Sequence, residues 1–188
     1  MKPWVVAHRG GAKLAPENTL KAFSGAIALG ADAFELDIHL SRDQQLVVIH
    51  DDTLQRTSKK DGVVREMTLA QLKQADPTIP SLAEALRLAR GKCRVIVEIK
   101  HPHGSRHQDI ENVLLKTLEQ EKMLDQVVVI SFDRQSLKTL RKMNASLETG
   151  YLFGAPTPLE NLKKDLGITF VGPHFRLASA QFIAEAHA

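Results

Sequence analysis

The chain has 188 residues, 43% of them apolar, with a formal net charge of +3 and one cysteine. That is one domain's worth of chain, apolar enough to bury a sizeable core. The positive charge gathers in no Lys/Arg-dense helix or tail, which argues against nucleic acid as a partner, and a lone cysteine excludes an internal disulfide.

The predicted elements run in a steady alternation. Residues 4–8 (WVVAH) form an apolar strand too short for a signal peptide or membrane span, so a cytoplasmic protein without a transmembrane segment is expected. A helix begins near Asn18 or Thr19, carries Leu20, Phe23 and Ile27 on one face, and stops at Gly30. A strand follows at 33–38 (AFELDI), and a short run at 46–51 (LVVIHD) returns on it as a hairpin across Asp43, Gln44 and Gln45. Residues 57–80 read as short and polar. The next helix opens at Ser81, with Glu84 at capping-box spacing, and ends before Gly91. The strand at 93–99 (CRVIVEI) makes Cys93 a structural thiol rather than a reactive one.

Ile110, Val113, Leu114 and Leu118 then mark a helix between Asp109 and Lys122. Strands at 127–132, 148–153 and 168–173 alternate with helices from Asp133, from Pro158 to Gly167, and after Ser179. This βα rhythm predicts a parallel sheet covered by helices, and no repeat, linker or low-complexity segment divides residues 1–188, so a single domain is expected. No G-x-G-x-x-G or P-loop pattern opens the first helix. Acids and histidines fall at several strand ends, which suits a (β/α)8 TIM barrel better than an open sheet. A barrel takes about 250 residues, roughly 200 at the least. Six core strands and a hairpin run lead to the expectation of a C-terminally incomplete barrel that lacks its last two strands.

The chemistry gathers at those strand ends. In FELDIHL, Glu35 and Asp37 share a face and lie roughly 6–7 Å apart. Two like charges so placed repel, and a divalent cation such as Mg2+ or Ca2+ relieves them with hard oxygen ligands. A solvated strand face is the plainer alternative. Glu98 and Lys100 share a face in VIVEIK: a third carboxylate for the cation and a positive charge for an anion, or a wet ion pair. His8 and His50 each end an apolar run and offer proton exchange near neutral pH. The planar fork of Arg9 suits phosphate. Gly10 and Gly11 let backbone approach a ligand or simply make the turn. His39 flanks the acid face, and His101, His103, His107, His174 and His187 read as loop or surface residues.

Taken in order, HRG with PENT, then ELDIHLSRD, LVVIHDDTLQRT and VEIK, the chain resembles the glycerophosphodiester phosphodiesterase family. The resemblance covers essentially the whole chain and implies a (β/α)8 barrel. It implies hydrolysis of a small-molecule glycerophosphodiester to glycerol 3-phosphate and an alcohol. It further implies His8 and His50 as general acid and base, His8 being the favoured base. Glu35, Asp37 and Glu98 would be ligands of Mg2+ or Ca2+, and Arg9 and Lys100 would hold the phosphate. Glu17 and Asn18 would brace the first loop or cap its helix. Two departures stand out. The family's inserted subdomain is replaced by the short 57–80 stretch, and the W-T-x-N and T-D elements of its last strands are absent, Trp4 being the sole tryptophan. Alternative readings are a lysophospholipase D-like activity on lysolipids, an inactive truncated remnant that binds metal or phosphate, and a barrel sugar isomerase. The sequence sets neither the alcohol released nor the oligomeric state.

Overall fold

The structure, a computed structural model, describes residues 3–103 and 105–187. The chain divides between Val127 and Val128 into two compact units.

In the first unit the strands are β1 (Val6–Ala7), β2 (Ala33–Leu40), β3 (Leu46–Val48) and β4 (Arg94–Ile99). Its helices are α1 (Leu20–Ala28), α2 (Gln55–Ser58), α3 (Leu69–Ala75), α4 (Leu82–Ala89) and α5 (Ile110–Gln120). β4 runs parallel to β2 along one edge, with Ala33 level with Arg94 and Ile38 level with Ile99. The other edge is shared. β1 takes Ala33 and Phe34 in parallel, and β3 takes Ile38 to Leu40 antiparallel, as the hairpin spacing predicts. Between them, the Asp37 carbonyl accepts from the Ile49 N–H and the Asp37 N–H donates to Asn18 Oδ1, and the turn that follows β1 lies beside Glu35. That turn, His8–Gly10, is where the expected first strand stops short.

Every residue of β2 is buried, so neither of its faces is the solvated one of a simple hairpin sheet. Phe34 stacks on Phe23 of α1 with ring centroids 4.4 Å apart. Thr19 caps α1 by accepting from the Ala22 N–H, and Ser81 with Glu84 forms the predicted capping box of α4. Cys93 is half-buried and its thiol is pushed up by burial, which agrees with a structural role.

The stretch 57–80 departs from expectation. It holds α3, closed by a Thr68–Gln71 capping box, and Val64, Leu72 and Ile79 bury against Val47, Ile49 and Leu54 in a satellite core. The sequence signal is short but present: Thr68 and Gln71 have capping-box spacing, and Leu69, Leu72 and Ala75 share one helical face, which packs once β3 offers a wall.

The second unit contains β5 (Val127–Ser131) from its second residue on, α6 (Arg134–Met143), β6 (Glu148–Phe153), α7 (Leu159–Leu166), β7 (Phe170–Pro173) and α8 (Ala180–His187). β5, β6 and β7 pair in parallel and in order. Leu137 of α6 packs with Phe153, Leu162, Leu166 and Ile168. No helix among the described residues is long and apolar enough to cross a membrane.

Candidate active site and metal centre

The register of β2 against β4 assembles the acids. Asp37 stands level with Glu98, and Glu35 projects from the same face of β2. One carboxylate oxygen from each lies within 4.8 Å of the other two. Their residues are 5%, 1% and 7% exposed for Glu35, Asp37 and Glu98, which removes the solvated-face alternative. Burial, then the Asp37 charge, pushes the Glu35 carboxyl up to about 8. Burial likewise raises Glu98, against the pull of Lys100.

Some of this charge is met by protein. The Arg9 N–H donates to Glu35 Oε2 at 2.9 Å, and Asn18 Nδ2 donates to Asp37 Oδ2 at 2.8 Å. Lys100 Nζ lies 2.7 Å from Glu98 Oε1 and 3.3 Å from Asp37 Oδ1, close enough for ion pairs but outside hydrogen-bond geometry. Arg9 Nε is 3.4 Å from Asp37 Oδ2. Glu35 Oε1 is buried without a hydrogen-bond partner. Three convergent buried carboxylates, with Glu35 Oε1 left without a partner, are a donor set that suits Mg2+ or Ca2+.

The histidines flank this cluster. His8 is largely exposed, with Nε2 3.8 Å from Glu35 Oε2, and its pKa is lowered by desolvation and by the Arg9 charge. His50 Nδ1 lies 2.6 Å from Asp51 Oδ1. A carboxylate only accepts, so Nδ1 carries the proton and Nε2 is left for chemistry. The turn bearing His8 and Arg9 requires Gly10. Its φ is +78°, and a Cβ there would meet Ala22 Cβ and Phe23 Cδ1 at 2.8 Å. Close packing on α1 therefore fixes this glycine. A cavity of about 200 Å³ lies beside His50, with Glu17, Asn18, Thr57, Asp76 and Thr78 in its wall.

All seven residues singled out from the sequence thus lie in the first unit, and the three acids converge. Two readings need correction. His107 lies in a loop, as expected, but not at the surface: it is buried, with Nε2 3.0 Å from His39 Nδ1. His39 is not merely flanking. It is 2% exposed, and its Nε2–H donates to the His50 carbonyl at 3.1 Å, which ties the end of β2 to the His50 loop. A partner 68 positions away gives no local signal. Asn18 does more than brace a loop, since it reaches Asp37. Arg56, to which sequence reasoning gave no role, bonds both Glu17 and Asp51.

A βα framework that collects carboxylates, imidazoles and basic side chains at its strand ends defines a barrel-type protein with acidic groups that could hold a metal ion. Comparison with known proteins agrees. The model of the glycerophosphoryl diester phosphodiesterase family matches residues 8–186. A glycerophosphodiester phosphodiesterase of Caldanaerobacter subterraneus subsp. tengcongensis is 38% identical over 165 residues, covering 81% of this chain and 68% of its own length. One from Bacillus altitudinis is 34% identical over 160 residues, covering 79% and 65%. The chain therefore spans about two thirds of these relatives. An Oleispira antarctica phosphodiesterase, solved in complex with the product sn-glycerol-3-phosphate, superposes with a TM-score of 0.89 at 28% identity, over 98% of this chain and 80% of that one. The chain belongs to the glycerophosphoryl diester phosphodiesterase family, and its fold is that family's (β/α) barrel fold.

Proposed function

We propose that the chain hydrolyses glycerophosphodiesters to glycerol 3-phosphate and an alcohol, with Mg2+ or Ca2+ held by Glu35, Asp37 and Glu98. The observation that carries this reading is the trio of buried carboxylates, each offering one oxygen within 4.8 Å of the other two. Family membership supports it, as does the product bound to the Oleispira antarctica relative. A bound divalent ion would supply Lewis-acid stabilisation of charge on the phosphoryl oxygens.

The chain's own groups do the rest. Arg9 and Lys100, which stand beside the acids, hold the negative oxygens of the substrate phosphate. One of the pair His8 and His50 takes a proton from the attacking water as its oxygen bonds to phosphorus. The other donates a proton to the departing alkoxide as the second P–O bond breaks. Asp51 keeps His50 in the tautomer with Nε2 free.

The test is release of glycerol 3-phosphate from glycerophosphocholine. Chelation abolishes it and added Mg2+ or Ca2+ restores it. Release that survives thorough chelation removes the ion from the reaction. A folded protein whose melting temperature rises with Mg2+ but which releases nothing is a metal-binding remnant, not an enzyme.

A further inference from the structure

We propose that Arg56 is a positioning residue for this reaction: its guanidinium clamps Asp51 against His50 and Glu17 against Arg9, so that one imidazole and the phosphate-holding arginine share a single ionic frame. The proposal rests on the functional reading above for the reaction it serves, and on geometry for the frame.

Arg56 is the second residue of α2, the short helix that follows the His50 loop. Its Nε donates to Asp51 Oδ2 at 2.6 Å, and its Nη2 donates to Asp51 Oδ1 at 3.2 Å. The same Nη2 donates to Glu17 Oε1 at 2.6 Å, and Nη1 donates to Glu17 Oε2 at 3.0 Å. Four of the five N–H donors of the guanidinium are thereby spent on two carboxylates. Each carboxylate passes the constraint on. Asp51 Oδ1 receives His50 Nδ1 at 2.6 Å, and Glu17 Oε1 receives Arg9 Nη1 at 3.0 Å. Arg9 Nε reaches to 3.4 Å from Asp37 Oδ2. The frame is continuous: His50, Asp51, Arg56, Glu17, Arg9, Asp37.

The hydrogen bonds of Arg56 are also the first cause of the lowered pKa of Glu17 and of Asp51, the latter held down to about 2. Both acids are therefore ionised acceptors across the working range. An isolated exposed ion pair adds little to stability. The function of this one is geometric, because a planar fork can bridge two carboxylates at fixed angles while an ammonium is a single point charge. Nothing in the frame requires Arg56 to touch the substrate. It acts through Asp51 and Glu17.

The experiment compares wild type with Arg56→Lys, Arg56→Gln and Arg56→Ala. It measures kcat and KM for glycerophosphocholine with Mg2+, melting temperature, and the 15N spectrum of the His50 ring. We expect kcat to fall on the order of 100-fold in all three, the scale of a small misplacement of a catalytic group. KM and melting temperature change little, and the lysine variant falls nearly as far as the glutamine. Added guanidinium, but not ammonium, restores part of the activity of Arg56→Ala. The wild-type ring shows one tautomer, protonated at Nδ1, and the lysine variant a mixture. A lysine variant that keeps kcat within about twofold of wild type overturns the proposal. So does a loss of kcat matched by an equal loss of folded protein. If wild type releases no glycerol 3-phosphate, the functional reading fails separately. The ring spectrum then decides the frame alone, and a tautomer unchanged in Arg56→Lys overturns it.

Discussion

Asp37 and Glu98 stand side by side across the parallel pairing of β2 and β4, two acids that only a strand register brings together. Glu35 joins them from β2 with one oxygen left unpartnered in the interior. Without a cation the arrangement is costly, because buried like charges repel and lack water. Function and stability therefore pull in opposite directions at this point.

Glu35→Gln separates the two. The amide keeps an oxygen for the Arg9 N–H and removes a buried acid. We expect the metal-free variant to melt at or slightly above the wild-type temperature. Its stabilisation by saturating Mg2+, which at 100 times Kd is about 2.7 kcal/mol for a single site, should largely vanish. Glycerol 3-phosphate release should fall at least on the order of 100-fold, the upper end of what even an outer-shell change around a metal costs. Thermal melts with chelator and with Mg2+ check both. A variant that still gains the full Mg2+ shift would remove Glu35 from the cation site.

Gly10→Ala tests the turn that carries His8 and Arg9. The added Cβ would meet side-chain carbons of Ala22 and Phe23 at 2.8 Å, on a backbone at φ +78°. Positive φ and overpacking together cost about 1–3 kcal/mol or more. Gly30→Ala is the control, since its φ is also +78° but nothing lies within 4 Å of the new Cβ. Urea unfolding should show Gly10→Ala clearly the less stable, and its activity should fall beyond what the loss of folded protein explains. Equal losses in the two variants would mean that close packing on α1 is not what fixes Gly10.

The acid cluster was legible because period-two patterning of ELDIHL and VIVEIK aligns side chains within each strand. The pairing of Asp37 with Glu98 needed in addition that the two strands be parallel neighbours in this register. What escaped the sequence was contact between loops. Arg56 and Glu17 lie 39 positions apart, and His39 and His107 lie 68 apart, each with ordinary local context. The satellite core within 57–80 escaped for a related reason. Leu72 and Ile79 become a core only through Val47 and Ile49 of the hairpin. The shortness of β1 comes from the turn at His8–Gly10, where Arg9 takes a left-handed conformation and the chain leaves the sheet before it can pair with Glu35.

The buried His39–His107 pair makes the fold acid-sensitive. Desolvation, then the neighbouring His39 and His101, pushes His107 down to about 3, so it stays neutral in the folded protein well below the value near 6.5 of a solvated imidazole. Between those values the unfolded chain binds a proton that the folded one refuses, so stability falls as pH falls from about 6.5 toward 3. The slope from this one group approaches about 1.4 kcal/mol per pH unit. His107→Gln removes the titration and strains the hydrogen bond to His39. We expect it to cost about 1–3 kcal/mol at pH 8, the usual penalty for disturbing a buried polar pair. The wild-type and variant curves should then converge as the pH drops toward 4. Urea midpoints measured from pH 8 to pH 4 check this directly. Parallel curves would mean that His107 takes up protons as readily in the fold as outside it.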